Sequence, residues 1–218
     1  MLVVYDKFAT QDDLTAGRKI QCVLKHVISC TRTIALNGLY ELEIQSVLDD
    51  DIRNHIERKS IILSPSGQFY IVYNMSYSSS SGTVTIKAWH IFYYLSYRMC
   101  EEHEKYNYPA SYAIASVMYE QEQDPRLVQH IFRTSTDLDS DDNKYDVNYY
   151  GMNKAYALIG SPQSVTALYG GEIYRDNFYF SINKRMEGSK ENAFLIRDGW
   201  NCKGINMVVD DSETVTAT

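Results

Sequence analysis

Apolar and polar positions alternate through much of the first ninety residues. Tyr40, Leu42 and Ile44 interleave with Glu41, Glu43 and Gln45, the period-2 pattern of a half-buried strand. Asn37-Gly38 stands just before it, and because both residues tolerate positive φ the pair predicts a hairpin turn. Ile61-Ile62-Leu63 and Phe69-Tyr70-Ile71-Val72-Tyr73 flank Ser64-Pro65-Ser66-Gly67, a second turn between strands. Ser78-Ser79-Ser80-Ser81-Gly82 reads as the tip before a further strand over 83–89. Such a succession of antiparallel hairpins leaves edges that a small barrel or sandwich covers.

Past Trp89 the period lengthens. Ile91, Tyr94, Leu95 and Arg98 fall at spacings of three and four, which favours a helix over 90–99 rather than a strand. Residues 109–121 read more clearly as a helix. Pro109 suits its first turn, and Ala113, Ile114, Val117 and Met118 make one apolar face. A strand is expected around 128–133, then an acidic loop over 137–143. A helix over 152–159 should stop at Gly160. Ser161-Pro162 should open another as N-cap and first residue, closed by Gly170. Beyond Gly171, Phe178, Phe180 and Ile182 alternate with Tyr179, Ser181 and Asn183, and the polar stretch 187–192 turns the chain into 193–197. The expected class is α+β and mainly β. A β-barrel-like domain over 1–90 is interrupted by an α+β insertion over 91–160, and 161–218 returns to β structure.

Composition narrows the function. At 218 residues with 44% apolar and 22% charged positions, the chain can bury a core and resembles ordinary globular proteins. Its 19 tyrosines are unusual: tyrosine favours strands and sets a polar tip on an apolar ring, suiting either plain strand faces or surfaces that other proteins cover. A formal charge of −7 disfavours sequence-specific nucleic-acid binding, while an acidic wall would let DNA pass without sticking. Cys22, Cys30, Cys100 and Cys202 contain no C-x-x-C pair, so reduced, partly buried thiols made in a cytoplasm are expected. No basic leader precedes an apolar run at the start, and no window nears the roughly 20 apolar residues of a membrane helix.

Each hint of chemistry has a plainer reading. Asp137, Asp139 and Asp141 match the first positions of a calcium loop, yet Asp142 stands where glycine belongs and Asn148 where glutamate belongs; a solvated acidic loop fits better. His26, His55, His90, His103 and His130 form no zinc motif. Neither a nucleophile elbow nor a phosphate-binding loop is present. Glu41 and Glu43 share a strand face about 7 Å apart, a separation a glycosidase could use, although a solvated strand face accounts for it. Asn74-Met75-Ser76 fits a glycosylation acceptor by pattern alone. Arg175-Asp176, Lys184-Arg185 and Arg197 gather charge that suits either an intersubunit ladder or ordinary cross-strand pairs. No metal or other cofactor is expected.

The densest motif lies between 160 and 205: Gly160-Ser161-Pro162, then Tyr169-Gly170-Gly171-Glu172-Ile173-Tyr174-Arg175-Asp176-Asn177-Phe178, then Asn183-Lys184-Arg185 and Ile196-Arg197-Asp198-Gly199-Trp200-Asn201-Cys202-Lys203-Gly204-Ile205. It resembles the block of the prophage tail-endopeptidase, or tail-associated minor structural protein, family. Asn37-Gly38-Leu39-Tyr40-Glu41-Leu42-Glu43 is similar to that family's early stretch. Residues 186–190 and 198–202 depart from the more Gly- and Lys-rich family sequence, which leaves those loops open. The resemblance implies a tail-tip hub made in the host bacterial cytoplasm. Such hubs form a trimeric ring that closes the tube below the tape-measure protein and docks on the distal tail protein. It marks Gly160, Gly170, Gly171, Glu172 and Arg175, with Asp176, Asn177, Phe178, Arg197 and Gly204, as structural motif residues, and it carries over no catalytic residue. Because relatives run on into C-terminal modules, a chain ending at Thr218 is expected to be a fragment or a short member. The rival expectations are a cell-wall hydrolase, peptidase or glycosidase, and a carbohydrate-binding baseplate module in which Trp89, Trp200 and tyrosines stack on sugars.

Overall fold

The computed structural model describes residues 1–101, 104–123 and 129–185. Seven antiparallel strands form its main sheet: β1 (Leu2–Tyr5), β2 (Ile20–Leu24), β3 (Val27–Ile34), β4 (Tyr40–Val47), β5 (Ile61–Leu63), β6 (Phe69–Ser78) and β7 (Thr83–His90). Their order is β2-β1-β5-β6-β7-β4-β3. The two end strands are neighbours in sequence, separated only by Lys25 and His26. Since three residues span at most about 11 Å, the sheet must bend round until its ends meet at this corner. His26 fixes the corner by accepting bonds from Val47 N (3.0 Å) and Ser46 Oγ (2.8 Å). The expected barrel is thus approached but not closed, because no ladder joins β2 to β3 among the described residues.

The bent sheet has two cores. Inside the curve lie Val4, Leu42, Ile44, Ile62, Tyr70 and Ile86, plugged by Ile52 of the short helix α2 (Asp50–His55) and by Ile56 after it. Outside it Val3, Tyr5, Ile61, Phe69 and Ile71 pack against the later half of the chain. Strands β1 and β5 and the first four residues of β6 are covered on both faces, which is why these stretches run apolar without alternation. By contrast β4 alternates cleanly between buried and more exposed positions, as its sequence predicts. Strand β3 is exposed along nearly its whole length, with Ile28 and Ile34 more than half exposed, and its outer edge has no partner strand among the described residues.

The outer layer departs from expectation in its details. Residues Ile91–Tyr97 form a 3₁₀ helix rather than an α-helix, burying Ile91, Phe92 and Leu95. Two short helices, α1 (Gln11–Thr15) and α2, were not expected. Helix α1 carries a capping box in which Thr10 and Asp13 bond each other's backbone, a signal present in the sequence. Helix α3 (Ala110–Gln123) lies close to the expected span. Strand β9 runs Arg133–Thr136 rather than 128–133. Strands β8 (Lys105–Pro109) and β10 (Lys144–Val147) make a separate ribbon. Helix α4 (Lys154–Ile159) ends at Gly160 as expected. Helix α5 (Val165–Tyr169) begins later than expected, because Ser164 caps it while Ser161 turns the chain by accepting Gln163 N. Strands β11 (Glu172–Asp176) and β12 (Tyr179–Asn183) form a hairpin, and β12 also pairs in parallel with β9. All described residues belong to one compact unit, Met1–Glu187. The expected strand at 193–197 lies outside them.

Candidate functional site

Two tight turns of the main sheet hold the β11–β12 hairpin, and each fastening is made by an asparagine in the left-handed region. Asn37, at φ 47° in the β3–β4 turn, donates through Nδ2 to Gly171 O (2.8 Å) and accepts Ile173 N on Oδ1 (2.8 Å). Its carboxamide thereby serves β11 as a strand neighbour would. Asn177, at φ 49° in the β11–β12 turn, reciprocates on the β5–β6 turn. Its Oδ1 accepts Phe69 N (2.8 Å) and its Nδ2 donates to Gly67 O (2.9 Å). Asparagine is enriched where a side-chain residue must take positive φ. Gln68 completes this contact, its Oε1 accepting Asn177 N (3.1 Å) while its Nε2 donates to Asp176 Oδ1 (2.7 Å).

Arg175 is the centre of the clamp. It is 6% exposed, and Nη1 donates to Gly38 O (2.7 Å) and Tyr93 Oη (3.1 Å) while Nη2 donates to Ala35 O (3.3 Å). Its guanidinium lies 5.2 Å from the Tyr40 ring centroid and 5.7 Å from that of Phe92, within cation–π range. Burial lowers its pKa from the ordinary arginine value, opposed by the Tyr93 hydroxyl. An intersubunit ladder through Arg175 is therefore excluded, since this side chain is spent inside its own chain.

His90 sits beneath the same cluster. Its ring stacks on Tyr40 at 4.4 Å, Nδ1 accepts Phe92 N (3.3 Å) and Nε2 faces Gln68 Oε1 (2.9 Å). This pairing assigns the Nε2–H tautomer of a neutral ring. Burial, then the Arg175 charge, pushes its pKa down to about 3.

The other motif residues that the structure describes stand at helix ends, in a strand and in the core. Gly170 closes α5 at φ 73°, a left-handed C-cap that glycine adopts without strain. Gly171 has no room for a side chain, because a Cβ there would stand 2.6 Å from Ile182 and 2.7 Å from Leu138. Gly160 caps α4 against the Tyr156 ring. Phe178 is buried among Phe69, His130 and Phe132, and Glu172 is half-buried at the start of β11. Arg197 and Gly204 lie outside the described residues. Asn37, Gln68, His90 and Tyr93 complete the clamp. Only Asn37 carried a sequence signal, through its turn; nothing local marks Gln68, whose bonds to Asp176 and Asn177 span more than a hundred residues.

Elsewhere the candidate chemical groups are engaged in ordinary contacts. Glu41 accepts the Tyr73 hydroxyl (2.6 Å) and Glu43 pairs with Lys87 (3.0 Å). In the acidic loop Asp137 accepts Lys184 N and Asp139 accepts Ser111 N, the latter in the first turn of α3. Among the described residues no group of three or more His, Cys, Asp or Glu is placed to hold a metal ion. No helix among them is long and apolar enough to cross a membrane. Trp89 stacks on Tyr73 at 4.1 Å and lines a groove of about 460 Å³ with Leu39, Tyr93, Tyr156 and Ile159; Trp200 and His103 lie outside the described residues. What the clamp can do chemically is fasten one part of the chain to another. Asn177→Ala is expected to cost about 2 kcal/mol, since it strips partners from Phe69 N and Gly67 O together. Urea denaturation measures it, and a change below about 0.5 kcal/mol would remove Asn177 from the clamp.

No protein-family model matches the sequence. No curated protein matches it either. Among solved structures, the chain is similar to the crystal structure of prophage tail protein gp18 from Listeria monocytogenes EGD-e, at 15% identity and a TM-score of 0.67. The match covers 93% of this chain and 56% of that one, so this chain spans little more than half the length of the protein it resembles. At that identity the likeness is one of fold.

Proposed function

We propose that this chain is a structural component of a phage or prophage tail, acting as the tail-tip hub. In this reading three copies form a ring that closes the tail tube below the tape-measure protein and docks on the distal tail protein. The observation that carries the proposal is the fold likeness to a prophage tail protein over 93% of the chain. Two further features support it. The stretches resembling the tail-endopeptidase family, around Asn37-Gly38 and from Gly170 to Phe178, meet in space as one clamp. Strand β3 also offers an edge without a partner strand among the described residues, with exposed apolar side chains, the kind of surface that assembled proteins cover. The proposal assigns no reaction to the chain and places it in the virion.

Immunogold labelling of purified tails with antibody against this chain is expected to mark one end of the tube. Label confined to the tube wall or absent from tails would end the hub reading. Analytical ultracentrifugation of the chain mixed with its distal tail protein is expected to show three copies per complex; a persistent 1:1 complex would exclude the ring. Clearing of peptidoglycan by the purified chain in a zymogram would favour a hydrolase instead.

A further inference from the structure

Asparagine followed directly by glycine occurs once in the 218 residues, at Asn37-Gly38. This is a pair prone to losing the asparagine amide. Glycine sets no side chain beside its own nitrogen, so in an open chain that nitrogen can reach the carboxamide carbon of the residue before it. Asparagine counts among the thermolabile residues. Here the labile carboxamide is also the one that fastens the β3–β4 turn to β11.

The closed clamp engages every group that the loss of the amide would use. Nδ2, the leaving group, donates to Gly171 O (2.8 Å), and Oδ1 accepts Ile173 N (2.8 Å). The Gly38 nitrogen, the attacking group, donates to Ala35 O (3.2 Å). The Gly38 carbonyl accepts from Tyr93 Oη (2.6 Å) and Arg175 Nη1 (2.7 Å), and Ala35 O accepts from Arg175 Nη2 (3.3 Å). Asn37 is held at φ 47° within this frame. Freeing the carboxamide and the attacking nitrogen together means undoing bonds to β11 and within the turn, each of which resists being left unmade.

We propose that Asn37 is a deamidation site gated by the clamp: its amide lasts while the turn is bonded to β11 and is lost when the turn comes free. In the open turn the Gly38 nitrogen gives up its proton and attacks Asn37 Cγ. The new N–Cγ bond forms as Cγ–Nδ2 breaks, and ammonia leaves with that proton. The cyclic succinimide is then opened by water at either carbonyl, which restores the Gly38 N–H and leaves aspartate or isoaspartate. Neither product refits. Aspartate sets a carboxylate oxygen where Nδ2 met Gly171 O, two acceptors face to face, and isoaspartate lengthens the backbone inside the turn by a methylene. An opening that reacts is therefore one that does not properly close again. The inference goes beyond the tail-hub reading and does not depend on it.

The test incubates the 218-residue chain near neutral pH and follows the tryptic peptide Thr33–Arg53, in which Asn37 is the one asparagine, by mass spectrometry. The folded parent should keep its amide while the same chain unfolded in urea loses it. Arg175→Met releases Ala35 O and Gly38 O from the guanidinium. It should lose the amide roughly tenfold faster than the parent or more, because a slow reaction of the open form follows its population. Asn177→Ala, which frees the other end of the hairpin, serves if that variant does not fold. Gly38→Ala should slow the loss severalfold in the unfolded chain; its Cβ would meet Ala35 and Leu36 at no less than 3.4 Å. Asn37→Asp should lower the urea midpoint. The proposal is overturned if the parent loses the amide as fast folded as unfolded, or if the clamp variants react at the parent's rate. It is also overturned if Gly38→Ala leaves the unfolded rate unchanged, or if Asn37→Asp keeps the parent's midpoint.

Discussion

Lowering the pH from 7 to 4 is expected to cost this fold several kcal/mol, and two buried histidines are the reason. Burial lowers the pKa of His130 to about 4, and burial with the Arg175 charge lowers that of His90 to about 3. In the unfolded chain both titrate near 6.5. Between those limits the unfolded state binds protons that the folded state refuses, so stability rises with pH across the window. It is fully present above about pH 6.5 and drains away as the pH falls toward 4 for His130 and toward 3 for His90. At about 1.4 kcal/mol per unit, each histidine accounts for up to about 3 kcal/mol by pH 4, a large part of a typical domain's stability. Urea denaturation at pH 7, 5.5 and 4 measures the slope. His130→Phe should flatten about half of it. A stability unchanged between pH 6.5 and 4 would mean that neither ring is buried neutral.

Arg175→Met is expected to cost about 3 kcal/mol. The methionine keeps much of the stem's packing, so the loss isolates the charged fork and its bonds to Gly38 O, Ala35 O and Tyr93 Oη. Charge-assisted bonds are worth about twice neutral ones. Part of that gain is returned because the arginine no longer has to be desolvated. Arg175→Lys should cost nearly as much, because an ammonium cannot serve the two carbonyls and the hydroxyl in one plane. Hydrogen exchange at the amides of residues 35–39 should accelerate in both variants. A methionine variant within about 0.5 kcal/mol of the parent would show that the fork is dispensable.

The strands of the main sheet were legible wherever one face meets water. Strand β4 alternates because Tyr40, Leu42, Ile44 and Ser46 point inward and the residues between them do not. Strand β1 is a short apolar run that periodicity cannot place, because the outer layer covers its second face; β5, covered in the same way, was legible from the turn beside it. The failure to close at β2 and β3 was not legible, since alternation specifies a face and says nothing of which edge finds a partner. In the 3₁₀ segment Ile91, Phe92 and Leu95 satisfy a helical spacing, and periodicity does not distinguish the tighter helix. The clamp was half legible. Asn37-Gly38 and Gly170-Gly171 announce turns, but that one turn is spliced to the other follows only from contacts spanning some 135 positions. Gln68 and His90 gave no local sign, because their partners come from other elements.

The splice between Asn37 and β11 sets a timetable for synthesis. The first hairpin leaves the ribosome long before residues 171–177 exist to meet it, and chains are made at about 5–20 residues per second. For those seconds Val3, Tyr5, Phe69 and Ile71, which the finished protein covers, have no β11–β12 hairpin behind them. The nascent chain should therefore be a client of chaperones that grip exposed apolar sheet, and its release should coincide with emergence of the Arg175-Asp176-Asn177 turn.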